Sequence, residues 1–231
     1  MKFQRASAIG SPFTWFCDVS CERQPATQYN VPMDVAAAYL DEARRALRGH
    51  KRLAEGAISQ LSDHELFLQL DPESNSVAVI MKHIAGNIAS RLTDFLTSDG
   101  EKPDRHRDRE FEISPATTRA QLMQMWEAAW QIAFDTFASL QPADLERRVT
   151  IRGEPYTAFQ ALHRAVAHYA YHVGQIVFLA KHFRGAEWKT LSIARGESEQ
   201  FNSAKLTGKG DGAHALDANR AEDLKKVRNK K

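Results

Sequence analysis

His168 and His172 stand four residues apart in the stretch His168-Tyr-Ala-Tyr-His172. On an α-helix that spacing puts both imidazoles on one face, one turn apart, where two ring nitrogens can grip a single metal ion. Ordinary core packing produces the same spacing, so a metal site needs a third ligand from elsewhere. His83 is the candidate, since it falls with Asn87, Arg91 and Asp94 on a polar stripe beside Ile80, Ile84, Ile88 and Leu92. Polar side chains aligned in this way predict a hydrated pocket between helices. Gln175, three residues beyond His172, is spaced either to orient a ligand or to bond a neighbouring helix, and Asn87 carries the same two readings.

What surrounds the pair narrows the chemistry. The residue after His168 is Tyr169, where a metalloprotease of the HExxH type needs a glutamate, so protease chemistry on that pattern is not expected. Tyr171 reads as packing, and His50 reads as a core or pocket-wall residue on the apolar face of its helix. His64, His106, His163, His182 and His214 have no partner at ligand spacing and read as structural or solvated.

Four helical stretches must position these residues. Tyr39, Ala43, Leu47, His50, Ala54, Ala57 and Leu61 recur at threes and fours and predict a first helix over 34–61. Asp71 and Pro72 punctuate the chain. Ser74, Asn75 and Ser76 offer cap oxygens to a second helix that should run to about Ser98 and carries His83. The stretch 99–112 alternates charges of both signs around Pro103 and reads as a solvated loop. Thr118 and Gln121 have capping-box spacing ahead of a third helix that Pro142 closes. Val149 and Ile151 before Gly153 predict a short hairpin, and Thr157 caps a fourth helix reaching about His182 with both members of the histidine pair. Residues 188–201 hold Leu191, Ile193 and Phe201 and read as irregular chain packed on the rest. The expected fold class is all-α, a four-helix bundle with irregular extensions at both ends. The expected divisions are an extension over 1–32, one domain over 33–204 and a disordered basic tail over 205–231.

Composition limits the partners. Residues 205–231 carry eight Lys or Arg against four Asp or Glu, which leaves the remainder with 23 basic and 25 acidic residues. A slightly acidic body gives little electrostatic reason to bind nucleic acid, and Arg105, Arg107 and Arg109 are balanced by Asp104, Asp108 and Glu110. No nucleic-acid partner is expected. No apolar run is long enough to span a membrane, and the stretch 7–21 is interrupted by Pro12 and Asp18, so no membrane partner and a cytoplasmic location are expected. Cys17 and Cys21 read as ordinary thiols rather than a disulfide framework.

The segment MKHIAGN over 81–87, continuing through Ser90, Arg91, Asp94, Phe95 and Asp99 to Lys102, resembles an uncharacterised branch of the DinB-like, damage-inducible superfamily. HYAYHVGQIVFLAKH over 168–182 and SIARGESEQFN over 192–202 carry the same resemblance, which spans roughly residues 35–204. It implies a four-helix bundle and one divalent metal ion on three histidines, one from the second helix and two from an HxxxH on the fourth; those positions are His83, His168 and His172. Zinc or nickel is expected ahead of iron or manganese, because imidazole suits several of these ions. Asn87, Arg91 and Gln175 are the expected pocket residues.

Three neutral imidazoles leave at least one coordination position open, so the site can be catalytic. Relatives in the superfamily include transferases and isomerases that use low-molecular-weight thiols, which implies thiol transfer to a small-molecule substrate. Metal-dependent hydrolysis shares the same site, and a non-enzymatic metal-binding stress protein is the reading of a different class. The resemblance also admits a homodimer.

Overall fold

The computed structural model describes residues 34–207. The expected extension over 1–32, Cys17, Cys21 and most of the basic tail lie outside them. The described chain holds six α-helices and one two-stranded hairpin, α1 (Val35–Ile58), α2 (Asp63–Phe67), α3 (Val77–Leu92), α4 (Arg119–Ser139), β1 (Arg148–Ile151), β2 (Glu154–Thr157), α5 (Ala158–Arg184) and α6 (Ser198–Leu206), with short 3-10 turns at Arg107–Phe111, Pro142–Glu146 and Gly185–Glu187. The fold is therefore all-α, and its four long helices are the expected ones. No helix among the described residues is long and apolar enough to cross a membrane.

The helix starts follow from local chemistry. Asp34 accepts from the Ala37 amide and Ser76 from the Val79 amide, while Thr118 with Gln121 and Thr157 with Gln160 form reciprocal capping boxes. Each cap satisfies amides that a helix leaves without intrahelical partners. A fifth cap was not expected: Ser62 and Glu65 close a capping box that starts α2, within the connection after α1.

Packing pairs α3 with α4 and α1 with α5, while α3 also meets α5 and α1 meets α4. Arg44 on α1 donates to the Phe137 and Leu140 carbonyls at the end of α4, at 2.8 and 3.0 Å. Arg119 at the start of α4 donates to the Leu61 carbonyl just beyond α1, at 2.7 Å. Each helix thus supplies a cation to the carbonyl-rich end of its neighbour, where partial negative charge accumulates. Between the helices Trp126, Trp130, Phe137 and Tyr169 are fully buried together with Leu47, Ile84, Ile88 and Leu162. Truncating such an aromatic to alanine costs about 3–5 kcal/mol.

Three expectations need correction. The second long helix ends at Leu92 instead of near Ser98, because Thr93 turns extended and Asp94 takes φ 49°. Asp94 therefore leaves the helix and the polar stripe assigned to it. Residues 188–201 are not irregular throughout, since α6 begins at Ser198 and continues to Leu206. The stretch 99–112 is solvated only in part, with Pro103, Asp104, residues 106–109 and Glu112 exposed but Glu110 buried. Ser90 Oγ donates to the Gly100 carbonyl at 2.8 Å and accepts from the Lys102 amide at 3.1 Å, which straps this connection to α3.

The hairpin anchors the same connection. Arg152 and Gly153 both have positive φ, 58° and 76°, as a two-residue hairpin turn of this hand requires. Asp99 accepts from the Arg152 amide at 2.8 Å and the Gly153 amide at 2.9 Å, and Gly100 donates to the Thr150 carbonyl at 2.8 Å. Hydrogen bonds from the Glu101, Gly153 and Arg152 amides hold the Asp99 carboxyl well below the usual carboxylate range.

Candidate metal centre

The buried stripe of α5 runs through Ala158, Leu162, Ala165, Tyr169, Val173, Ile176 and Ala180. His168 and His172 flank that stripe and are half-buried at the border with α3. From α3, His83 faces them and is itself buried, 5% exposed, between the core residues Ile80 and Ile84. The Nε2 atoms of His83 and His168 are 3.3 Å apart, and those of His172 and His168 are 3.1 Å apart. All three side chains offer one ligand atom within 4.8 Å of the others.

Two of the three rings are oriented by a partner on the far nitrogen. His83 Nδ1 donates to Glu110 Oε2 at 2.8 Å, and His172 Nδ1 donates to Gln175 Oε1 at 2.8 Å. Donation from Nδ1 leaves the lone pair on Nε2, pointed at the centre of the trio. His168 Nδ1 is buried and has no partner among the described residues. His83 and His172 thus aim lone pairs at His168 Nε2, and these separations fit both an Nε2–H of His168 donating to them in the metal-free site and a cation shared by all three rings. Two imidazole nitrogens about 2.1 Å from one tetrahedral ion lie about 3.4 Å apart, close to the separations found here.

Burial favours the neutral form of His168 and His172. Burial pushes His168 down to about 3, helped by the nearby His172 and His83 rings. Burial also lowers His172, against the opposing hydrogen bond that it donates to Gln175. Neutral imidazole is the form that ligates metal.

Glu110 is the residue that the sequence reading missed. It sits 27 positions beyond His83, in the stretch read as solvated, yet it is 6% exposed. Arg105 donates to both of its oxygens, from Nε at 2.8 Å and from Nη2 at 3.1 Å. Burial alone would raise the Glu110 carboxyl, but the hydrogen bonds from His83 and Arg105 outweigh it and hold the group ionised. Gly86 makes the room, because a Cβ there would lie 2.5 Å from Glu110 Oε1. The network continues outward: Arg105 reaches Glu101 at 3.3 Å, and Glu101 meets Arg91 at 2.9 Å. The only local hint in the sequence was Phe111, an aromatic among charges, whose ring packs 4.9 Å from that of His83.

The remaining expected residues fall as follows. Asn87 accepts a long hydrogen bond from the buried Tyr169 hydroxyl at 3.4 Å. With Arg91, Arg164 and His168 it lines a cavity of about 50 Å³ between α3, α5 and the hairpin. Gln175 touches His172 as described. Tyr171 points outward and is 64% exposed, which corrects its reading as packing. His50 is half-buried on α1 with an unpartnered Nδ1, outside the trio.

Residues 34–197 match a family model described as a protein of unknown function (DUF1572). No curated protein matches the chain.

Proposed function

The chain belongs to the DUF1572 family of unknown function, and from that premise we propose that it is a divalent-metal-binding protein with a DinB-like bundle. The ligands are His83, His168 and His172. The observation that carries this reading is the convergence of three Nε2 atoms, two of them with lone pairs fixed by Glu110 and Gln175. Zinc or nickel is the favoured ion, ahead of iron or manganese. A divalent ion on three neutral imidazoles supplies a Lewis acid that lowers the pKa of a thiol presented to its open position.

The favoured activity is transfer of a low-molecular-weight thiol to a small electrophile. The sulfur forms the new bond, the electrophile's leaving group departs with the displaced electron pair, and the thiol proton passes to solvent. Metal-dependent hydrolysis is the alternative. Thiol transfer is favoured because Glu110, the carboxylate bonded to the trio, is committed to His83 and Arg105 and is unsuited to act as general base. The cavity beside His168 supports an enzyme over a carrier that merely stores the ion.

The test uses cobalt-substituted protein. A cytosolic thiol should create a sulfur-to-metal charge-transfer band that is absent in His172→Ala. Metal-dependent cleavage of an ester or amide, with no thiol giving the band, would replace this reading by the hydrolase one.

A further inference from the structure

The cavity beside His168 has an uneven charge inventory. Among the described residues that line it there is no aspartate or glutamate, while two arginines enter it, Arg91 from α3 and Arg164 from α5. They differ in what they already hold. Arg91 is 11% exposed; its Nη2 pairs with Glu101 at 2.9 Å and its Nη1 donates to the Gly100 carbonyl at 2.5 Å. Its charge is thus opposed and its donors are largely used. Arg164 is exposed at the cavity and makes no hydrogen bond or ion pair among the described residues. It lies one turn before His168 on the same helical face, so its guanidinium and that imidazole border one space.

The remaining wall joins the uncharged polar side chains of Asn87 and Thr150 to an apolar part formed by Leu92, Phe95 and Ile151. A volume of about 50 Å³ admits on the order of three or four waters, which is room for a short head group and not for a large polyanion. A guanidinium with free donors matches a carboxylate as a planar, two-bond partner. The carboxylates near the trio are already engaged, Glu110 by Arg105 and Glu101 by Arg91, Arg105 and Arg152, so none of them opposes Arg164. What is left over is the positive charge of Arg164, together with that of the ion.

We propose that this cavity binds the carboxylate head of a short aliphatic acid, with Arg164 holding the carboxylate and Phe95, Leu92 and Ile151 packing its hydrocarbon. The substrate of the metal site is accordingly a small carboxylate-bearing molecule. Its carboxylate lies on the Arg164 side of His168, and its reactive end is directed towards the three histidines. That identification of the substrate rests on the metal reading given above, whereas the recognition by Arg164 does not.

Butanoate and butanamide share a shape and differ by one charge, so they test the proposal directly. Methyl NMR titrations of metal-loaded protein should show butanoate shifting the Ile151 and Leu92 methyls and binding at least tenfold more tightly than butanamide. In Arg164→Gln the preference should fall below about twofold, and Arg164→Lys should restore part of it. Arg164 has no partner to lose, so an unchanged melting temperature is expected in both variants. The Arg164 dependence should persist after chelation. Equal binding of the two probes, no shift at Ile151, or an undiminished preference in Arg164→Gln overturns the proposal. If butanoate bound only with metal present and ignored Arg164, the ion alone would hold the anion, and this proposal would fall while the metal reading stood. If elemental analysis found no ion but the Arg164-dependent preference remained, only the metal reading would fall.

Discussion

His168 and His172 bring their Nε2 atoms to 3.1 Å across one turn of α5. With His83 closing the third side, the three Nε2 atoms are spaced to share one cation. Replacing any one of the three by alanine is expected to drop metal occupancy well below one ion per chain, whereas His64→Ala leaves it intact. Elemental analysis of untagged protein reads the difference. Full occupancy in all three single variants would show that the ion sits elsewhere.

Glu110 should act on affinity through His83. Glu110→Gln keeps the shape but weakens the acceptor, and metal affinity is expected to fall about 10- to 100-fold, the range for losing a partner of a metal-ligating histidine. Gly86→Ala should reproduce much of that loss by pushing Glu110 aside, although alanine favours a helix by about 1 kcal/mol over glycine. Competition against a chromogenic chelator measures both variants. Unchanged affinity in each would confine Glu110 to a structural role.

Acid should destabilise the metal-free protein in a defined window. His168 falls from 6.5 to about 3 on folding, so below pH 6.5 the unfolded chain binds the proton more readily than the folded one. The stability that this ring contributes is complete above pH 6.5 and is lost progressively as pH falls towards 3. His172 and His50 are lowered by burial and act in the same direction. The melting temperature of chelated protein should drop between pH 7 and 5, and less steeply in His168→Gln. A flat profile over that interval in the unaltered chain would contradict the neutral-ring assignment.

A chain shortened to residues 33–207 is expected to fold and to keep its metal, because the Asp34 cap, all four long helices and α6 lie within it. Circular dichroism and elemental analysis check this together. Loss of helicity or of the ion would place part of the domain in the removed segments.

Local patterns made much of this molecule legible. The Thr118–Gln121 box and the Thr157 cap marked where α4 and α5 begin, and the spacing of His168 and His172 put two rings on one face. The break at Asp94 was hidden because the apolar repeat continues through Phe95, which stays buried after the helix has ended. The Ser62–Glu65 box was present in the sequence but too short to stand out. Glu110 was illegible for a different reason. Its burial depends on a hairpin more than 35 positions later that pins Asp99 and folds the connection onto α3, and alternating charge looks the same in water as in a buried network.

The glycine at 86 and the carboxylate at 110 occupy one volume between them. Any side chain on that turn of α3 takes the space in which the glutamate now sits, so neither position is free to vary alone. Exchange of the glycine for a larger residue requires a shorter acid or none at 110, and loss of the acid leaves Arg105 with only its longer contact to Glu101. The two sites should therefore drift as a pair through divergence, with Arg105 as the third member. A relative that keeps all three histidines but carries a bulky residue at the equivalent of 86 must orient its α3 imidazole by some other route.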